Sequence, residues 1–260
     1  YIATLFLPEE IKREVFVLYA FVRTPDEYVD NPKLGEDPQQ KLDEWKKDWT
    51  NTFDTGVGQN EILLATREIF KKYKIPFELS IEFIDSMIQD LNINRYDTYE
   101  ELQKYMRGSA ECVGVMLTYI FGYTEPQAFF YARKLGEAMQ LTNFLRDIKE
   151  DYFDRNRIYV PREYMQKFGI TEEDIKNQNV NPDFKEMMFF LIEKARGIYR
   201  QSDAGINMLS PKTQFAVRAA SRLYEKILDK IENQNYNIYK QRARTNFLEK
   251  VWLISKSYVK

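Results

Sequence analysis

Residues 125–151 read EPQAFFYARKLGEAMQLTNFLRDIKED, and this stretch decides the fold prediction. At about 100° per residue, a helix places every third or fourth position on one stripe. The stripe starts small and apolar and ends in four oxygen-bearing side chains, whereas a core-facing stripe would end in Leu or Ile. A solvent-facing stripe has no need of small residues at its start. The pattern favours a cavity-lining helix over an ordinary amphipathic helix with a polar end, and its stripe is Ala132, Gly136, Gln140, Asn143, Asp147 and Asp151.

Helical periodicity covers almost the whole chain, and strand alternation is nearly absent. The breaks between periodic segments are short, and no Gly/Ser-rich stretch suggests an interdomain linker. We therefore predict an all-α protein with a single domain over residues 1–260. The predicted helices lie near residues 9–24, 41–53, 60–74, 77–91, 98–121, 125–151, 183–206, 211–233 and 239–258.

The composition excludes several classes of protein. The chain has 260 residues, no histidine and one cysteine, so Ser-His-Asp triads, His-ligated zinc and disulfides within the chain are ruled out. A net charge of −2 without a dense basic run argues against nucleic-acid binding. We expect Cys112 to be a buried core residue in a reducing, cytoplasmic setting. Any metal should be a hard ion held by oxygen.

Membrane-spanning and secreted proteins are also disfavoured. No stretch approaches the ~18 to 20 apolar residues of a membrane span. The N-terminal stretch YIATLFLPEEIKREV has neither the basic leader nor the cleavage site of a signal peptide. It begins so abruptly in apolar residues that we expect a few preceding residues to be missing.

A second acidic pair lies far from the first in the sequence. RTPDEYVD, residues 23–30, carries Asp26 and Asp30 at the same spacing as Asp147 and Asp151. One such pair alone indicates a solvated helix face. Four carboxylates at one cavity would repel each other, by roughly 3 kcal/mol for two groups about 6 Å apart. Either protonation or a cation must relieve this repulsion.

A divalent metal is the natural counter-ion, since no histidine or lysine cluster accompanies the aspartates. Mg²⁺, with Mn²⁺ as an alternative, takes carboxylates together with phosphate oxygens. Arg23 and Arg146, each just before an aspartate motif, offer planar donors that match phosphate. The pattern predicts a site for a phosphate-bearing molecule with a long apolar remainder, a description that isoprenyl diphosphates fit.

The predicted helix at residues 98–121 also carries small residues on one side. Gly in the middle of a helix costs about 1 kcal/mol relative to Ala, so the glycine on this side needs a reason. Close helix packing and a place in a cavity wall explain it equally well. The residues on this side are Tyr105, Ala110, Gly114 and Leu117.

Four segments resemble the squalene/phytoene synthase family of head-to-head prenyl transferases, and within it the phytoene synthases. LGEAMQLTNFLRDIKEDYFDRNRIYVP, residues 135–161, fits the family's longest signature almost position for position. RTPDEYVD is similar to the first aspartate motif, and YMRGSAECVGVML, residues 105–117, matches a further signature. Residues 203–244 are similar to the tail of bacterial phytoene synthases. The resemblance spans nearly the whole chain.

The resemblance implies an isoprenoid-synthase fold with helices around a deep central cavity. It also implies that two prenyl diphosphates join C1 to C1 through a cyclopropylcarbinyl diphosphate, with Mg²⁺ assisting the departure of each diphosphate. For a phytoene synthase the implied substrate is geranylgeranyl diphosphate, and NADPH is not expected. Two alternatives stay open. One is a squalene, dehydrosqualene or hydroxysqualene synthase using farnesyl diphosphate, and the other is a non-catalytic scaffold, which should have lost the aspartates.

The family's site residues carry over onto this sequence as implied roles. Magnesium would be held by Asp26, Asp30, Asp147 and Asp151, assisted by Gln140 and Asn143. Diphosphate would be bound by Arg23, Arg146 and Arg157, and the ionising carbon would be faced by Tyr105 and Tyr224. The prenyl tunnel would be lined by Tyr19, Ala110, Gly114, Leu117, Ala132, Gly136 and Met139. From the residues alone, a surface ion pair for Arg157 and a packed ring for Tyr224 are equally good interpretations.

Two places depart from the family pattern. Pro25 precedes Asp26, and proline inside a helix clashes with the carbonyl four residues earlier. The motif is therefore predicted to lie on a kinked turn or to open a new helix. Glu111 and Cys112 stand where the family has small or aliphatic residues, and Glu111 is either a surface residue or a carboxylate near the pocket.

The chain ends in a basic stretch. Its cations predict either contact with an anionic membrane, where an apolar product would go, or a solvated terminal helix. The stretch carries Lys240, Arg242, Arg244, Lys250, Lys256 and Lys260 against Glu249 alone. No pattern indicates an oligomeric state.

Overall fold

The computed structural model describes residues 2–246 and 249, and these residues form eleven α-helices. The all-α prediction is confirmed, since β-structure in the described part of the chain is limited to two isolated β-bridges. The helices are α1 (Glu9–Asp30), α2 (Pro38–Thr55), α3 (Glu61–Tyr73), α4 (Phe77–Asn92), α5 (Tyr99–Met106), α6 (Cys112–Phe121), α7 (Ala128–Arg155), α8 (Arg162–Lys167), α9 (Glu172–Lys176), α10 (Pro182–Ile206) and α11 (Pro211–Asn233).

Local chemistry sets where several helices begin. Asn60 caps α3 by accepting from the backbone N–H of Ile62, and Thr98 begins α5 with a capping box that includes Glu101. Pro182 stands in the first turn of α10, where a missing N–H breaks no intrahelical bond. These signals lie in the sequence itself, so the three predicted starts agree with the observed ones to within one residue.

Helix α7 is the centre of the fold. It packs against α6, α10 and α11. One apolar core, which includes Phe21 and Trp49, is formed by α1 to α4 with α6. A second core, which includes Tyr199, lies around α7, α10 and α11. Between them is a cavity walled by α1, α4, α6, α7, α10 and α11, so α7 lines a cavity as predicted.

Helix α1 continues across Pro25, so the prediction that a new helix begins at this proline is wrong. Proline has no N–H to donate to the carbonyl of Phe21, one turn earlier. Both residues are buried, together with Val29 one turn later, and this packing offsets the lost bond. The first acidic motif therefore lies on the last turns of α1.

Other boundaries also need correction. The helix predicted at residues 98–121 is three consecutive segments, because a π-helical turn, Arg107–Glu111, separates α5 from α6. The sequence pattern misses the 3-10 turn Ile2–Phe6 and the helices α8 and α9, which are too short to show a period. Residues 239–246 are not helical, and the rest of the helix predicted at 239–258 lies outside the described residues apart from 249.

Candidate active site

One cavity of about 510 Å³ runs along α7. Its lining on that helix extends from Ala128 to Asn143, which is about 22 Å at 1.5 Å per residue. The end marked by Asp26 and Asn143 is polar, and we call it the mouth. The end around Ala128 is apolar, and we call it the deep half. The deep half is completed by Phe121 and Leu209.

Every residue of the predicted prenyl tunnel lies in the wall of this cavity. These residues are Tyr19, Ala110, Gly114, Leu117, Ala132, Gly136 and Met139. Tyr19 stands on α1 and is largely exposed, and the other six lie on the π turn, α6 and α7. Gln140 and Asn143 continue the α7 lining towards the mouth. Contact with a prenyl chain stays a prediction for all of them.

Two glycines of the lining are also helix contacts. A Cβ added to Gly136 would lie 2.8 Å from the carbonyl oxygen of Ala110, and one added to Gly114 would lie 2.7 Å from that of Ala132. Neither oxygen can retreat cheaply, because both belong to packed helix backbone. Both explanations offered for Gly114 in the middle of a helix are thus correct, because the residue makes a close helix contact and also lies in the cavity wall. The glycines let the helices meet, and the alanines beside them leave the space open.

Arginines neutralise the first acidic motif. Arg23 pairs with Asp26 on the same helix. Asp30 lies 3.0 Å from Nη1 of Arg157 and 3.1 Å from Nε of Arg155. Burial, and then the charge of Asp30, raise the pKa of Asp26. The first motif is therefore tied by ion pairs to the end of α7 and the segment that follows it.

The second motif holds its two carboxylates in opposite electrostatic states. Asp147 receives paired hydrogen bonds from Arg146, at 2.7 and 2.6 Å, and from Arg242, at 2.8 and 2.7 Å. Burial opposes its ionisation, but these bonds lower the pKa of Asp147 below its ordinary value. Asp151 is held by Arg155 at 3.2 Å. Burial, and then the charge of Asp147, raise the pKa of Asp151 to about 8.

The repulsion between the motifs is thus relieved in part by the chain itself, through Arg155 and Arg242. Among the described residues, no group of three acidic side chains is gathered as a metal cluster. The donor set nevertheless fits a hard ion. The Oδ1 atom of Asn143 is buried with no hydrogen-bond partner among the described residues, while its Nδ2 donates to Gln140 at 3.2 Å. Amide and carboxylate oxygens are ligands that Mg²⁺ takes, and Asp147 follows Asn143 by one helical turn.

Six predicted site residues do not line the cavity, and these are Asp30, Arg146, Asp147, Asp151, Arg157 and Tyr224. Arg146 turns to Asp147, and Arg157 is buried at 6% exposure, so the surface ion pair proposed for Arg157 is wrong. Tyr224 packs against the core around α7, α10 and α11, which matches the packed-ring alternative. Tyr105, by contrast, is buried in the cavity wall. The diphosphate and cation roles of these residues stay predictions.

Four residues near the mouth escaped the sequence interpretation. Arg155 follows Asp151 by four positions, so helical spacing alone could have indicated that pair. Arg242 belongs to the predicted basic tail, but the chain turns back after α11 and brings its side chain onto α7. Asp90 and Tyr159 meet through a hydrogen bond of 2.9 Å between distant segments. No local pattern could reveal the last three, because each depends on tertiary contact.

The remaining predictions have mixed outcomes. Cys112 is buried, as predicted. Glu111 is not a surface residue, since it is largely buried beside Arg133, 3.9 Å away; it directly follows Ala110 of the cavity lining, which matches the alternative of a carboxylate near the pocket. Lys240 and Arg244 are exposed, whereas Lys250, Lys256 and Lys260 lie outside the described residues. No helix in the described ranges is both long and apolar enough to cross a membrane.

Comparison with known proteins agrees with this geometry. The family model for squalene/phytoene synthase matches residues 1–249. The chain is 32% identical over 255 residues to the 15-cis-phytoene synthase of Synechococcus elongatus, and this alignment covers 94% of this chain and 82% of the relative. It is also 32% identical over 266 residues to the chloroplastic phytoene synthase 1 of Zea mays, covering 100% of this chain and 64% of the relative.

Solved structures share the fold. A dehydrosqualene synthase crystallised with a ligand superposes with a TM-score of 0.92 at 24% identity, covering 100% of this chain and 90% of that one. A squalene synthase from Alicyclobacillus acidocaldarius gives a TM-score of 0.83 at 24% identity, covering 91% and 88%. At this identity the likeness concerns the fold alone, and it confirms the isoprenoid-synthase architecture. From the family match and the two relatives, the chain belongs to the squalene/phytoene synthase family.

Proposed function

We propose that the protein is a phytoene synthase, a prenyltransferase that condenses two geranylgeranyl diphosphates C1 to C1 and releases two diphosphates. The observation that carries the proposal is a single cavity that is apolar along α7 and bordered at its mouth by two acidic motifs with their arginines. Such a cavity suits a molecule with a long apolar chain and a diphosphate head. The phytoene synthases of Synechococcus elongatus and Zea mays support the choice within the family.

The mouth supplies oxygens for a metal and donors for diphosphate. Its metal ligands would be Asp26, Asp30, Asp147 and Asp151, with Gln140 and Asn143. A bound Mg²⁺, or Mn²⁺, would neutralise the diphosphate and stabilise it as it leaves C1. Arg23, Arg146 and Arg157 would hold the same group, because each guanidinium has N–H donors beyond those that its carboxylate accepts.

The deep half would hold the prenyl chain and keep water from the carbocation. Its lining carries no charged side chain, so a cation formed there meets apolar and aromatic groups instead of water. Tyr105 stands in the cavity wall beside the mouth, with its ring centroid 6.3 Å from that of Phe144, and would face the ionising carbon. The prenyl chain would lie along the small residues of α7, from Ala132 to Gly136.

Contact with a membrane is part of the proposal, because a C40 hydrocarbon needs an apolar destination. Lys240 and Arg244 are exposed on the segment after α11 and could meet an anionic surface. Such contact would be peripheral. Removing both charges should reduce vesicle binding at low ionic strength and leave turnover of detergent-solubilised substrate unchanged.

One experiment tests the function directly. Purified protein is incubated with Mg²⁺ and either farnesyl or geranylgeranyl diphosphate, with and without NADPH, and the hydrocarbon is identified. Phytoene formed from the C20 substrate without NADPH is the expected result. A C30 product formed preferentially would instead support a squalene, dehydrosqualene or hydroxysqualene synthase. Full activity in excess chelator would remove the metal from the proposal.

A further inference from the structure

A buried chain of hydroxyl and carboxylate groups leads away from the cavity wall. Tyr105 lies in the wall, and its ring stacks on Tyr159 with centroids 5.7 Å apart. The Tyr159 hydroxyl donates to both carboxylate oxygens of Asp90, at 2.9 and 3.0 Å. The planes of the Tyr105 and Tyr159 rings are only 17° apart, so Tyr105 packs directly on the residue that hydrogen-bonds Asp90. Three proton-bearing or proton-accepting groups are thus neighbours in one row, and one of them faces the cavity.

The far end of this chain is a fixed and ionised group. Asp90 stands in the last turn of α4, buried at 6% exposure, and Arg157 lies 3.1 Å from its Oδ2. The segment that carries Arg157 and Tyr159 is bound to the end of α4 by a backbone bond of 3.0 Å from Ile158 to Asn94. Burial raises the pKa of Asp90 to about 6, although Arg157 opposes this. Asp90 is therefore charged at neutral pH but takes up a proton more readily than an exposed aspartate.

The proposed reaction needs a proton acceptor at the cavity. Two C20 diphosphates become one C40 hydrocarbon with the loss of two diphosphates and two protons. Each half of the reaction therefore breaks one C–H bond at a C1 carbon, and its electron pair closes the cyclopropane ring or the final double bond. An acceptor for such a proton must face the carbocation and must be able to pass the proton on.

We propose that Asp90 receives this proton through Tyr105 and Tyr159, an inference that rests on the proposed function. The C1–H bond breaks and its proton moves to the Tyr105 oxygen. The hydroxyl proton of Tyr105 moves to Asp90, directly or by way of Tyr159, so that the carboxylate becomes a carboxylic acid. The proton returns along the same hydroxyls to the released diphosphate before the next turnover. Tyr105 acts as a catalytic residue, while Tyr159 and Asp90 are positioning residues behind it.

A second buried carboxylate provides a matched control. Glu137 is buried at 1% exposure on α7 and accepts from the Tyr99 hydroxyl at 2.7 Å, but neither residue lines the cavity. The Nζ atom of Lys134 donates to Oε2 of Glu137 at 2.6 Å. Glu137 therefore combines burial, a phenol donor and a cation, as Asp90 does. A purely structural role would make the two carboxylates equivalent.

The test compares Asp90→Asn and Tyr159→Phe with Glu137→Gln and the conservative Asp90→Glu. Tyr159→Phe keeps the stacked ring and removes only the hydroxyl, so it stays informative even where Asp90→Asn folds poorly. Turnover of Asp90→Asn and Tyr159→Phe should fall about 100-fold, the scale of a lost proton acceptor. The kinetic isotope effect on kcat with substrate deuterated at C1 should at least double, and water-trapped alcohols should appear among the products. Asp90→Glu should recover part of the rate.

Three outcomes would overturn the relay. One is an unchanged isotope effect and product pattern in both Asp90→Asn and Tyr159→Phe. Another is a Glu137→Gln variant that reproduces every effect of Asp90→Asn. The third, a wild-type protein that condenses neither the C15 nor the C20 diphosphate, would overturn the proposed function as well. Use of the C15 substrate alone would revise the substrate and leave the relay standing, because closure of the cyclopropane ring releases a C1 proton whatever the chain length.

Discussion

The two ends of the cavity are built differently. At the mouth, Asp30, Asp147 and Asp151 are each held by arginines, and the pairs that Asp30 and Asp147 make with Arg157 and Arg242 join separate parts of the chain. In the deep half, the lining carries no charge, and its shape comes from the close approach of helix backbones at Gly114 and Gly136. The mouth is therefore a set of exchangeable ion pairs, whereas the deep half is a fixed surface. Substitutions should change affinity and rate at the mouth, and selectivity or folding in the deep half.

The largest effect is expected from the first acidic motif. Asp26→Asn and Asp30→Asn should each lower turnover by about three orders of magnitude, equivalent to about 4 kcal/mol, because each removes a charge that the proposed metal site needs. Their stabilities should differ. Asp30→Asn leaves the buried Arg157 with one carboxylate partner fewer and should lower the free energy of unfolding by about 2 kcal/mol. Asp26→Asn should leave it almost unchanged, because Asp26 is half-exposed.

Paired rate and thermal-unfolding measurements on the two variants check this prediction. If carboxylate repulsion dominated the mouth, Asn at either position would leave the melting temperature unchanged or raise it. Equal melting temperatures for the two variants would therefore contradict the view that arginines already balance the motif. Wild-type turnover in Asp30→Asn would contradict the metal-binding role.

The two ends also differ in how far the sequence could predict them. The stripe on α7 is local information, since a helical period places Ala132, Gly136 and Asn143 on one face whatever surrounds the helix. The fold class and the lining of the cavity follow from such patterns. The ion pairs of the mouth do not, because Arg242 reaches Asp147 across a sequence separation that no period describes. Sequence patterns could thus identify the carboxylates and the arginines close to them in the sequence, such as Arg146, but not the pairing of Arg242 with Asp147 from a distant segment.

The second effect, in order of size, concerns Arg242. Arg242→Ala should weaken inhibition by inorganic diphosphate about 10- to 100-fold, since it removes a bidentate donor beside the second motif. Arg146→Ala should weaken inhibition to a similar extent at any salt concentration, because Arg146 is partly buried beside Asp147 and salt screens such a group little. Lys240→Ala, two residues before Arg242 and exposed, is the control and should leave inhibition unchanged. Equal inhibition constants for Arg242→Ala and Lys240→Ala would show that the whole segment is a solvated tail.

A smaller effect is expected in the deep half, where Ala132→Phe and Gly136→Leu should behave differently although both add bulk. Ala132→Phe should fill the cavity and shift the ratio of kcat/KM from the C20 towards the C15 diphosphate by about tenfold. Gly136→Leu should lower the melting temperature first, because its Cβ meets the carbonyl of Ala110 at 2.8 Å. An unchanged substrate ratio for Ala132→Phe would place the prenyl chain elsewhere. A Gly136→Leu variant as stable as wild type would contradict the close helix contact.

The last effect, on stability alone, concerns Asp151, which holds a proton at the mouth. Its pKa of about 8 lies above the ordinary 3.8, so the folded protein binds this proton more tightly than the unfolded chain. That contribution to stability is complete below pH 4 and is lost as pH rises towards 8. In chelator, wild type should therefore be less stable at pH 8 than at pH 6, by roughly 2 kcal/mol from this group. Asp151→Asn cannot lose the proton, so it should show a smaller decline and should be the more stable protein at pH 8. Unfolding curves of both proteins at the two pH values measure the difference, and parallel declines would mean that Asp151 is already ionised at pH 6.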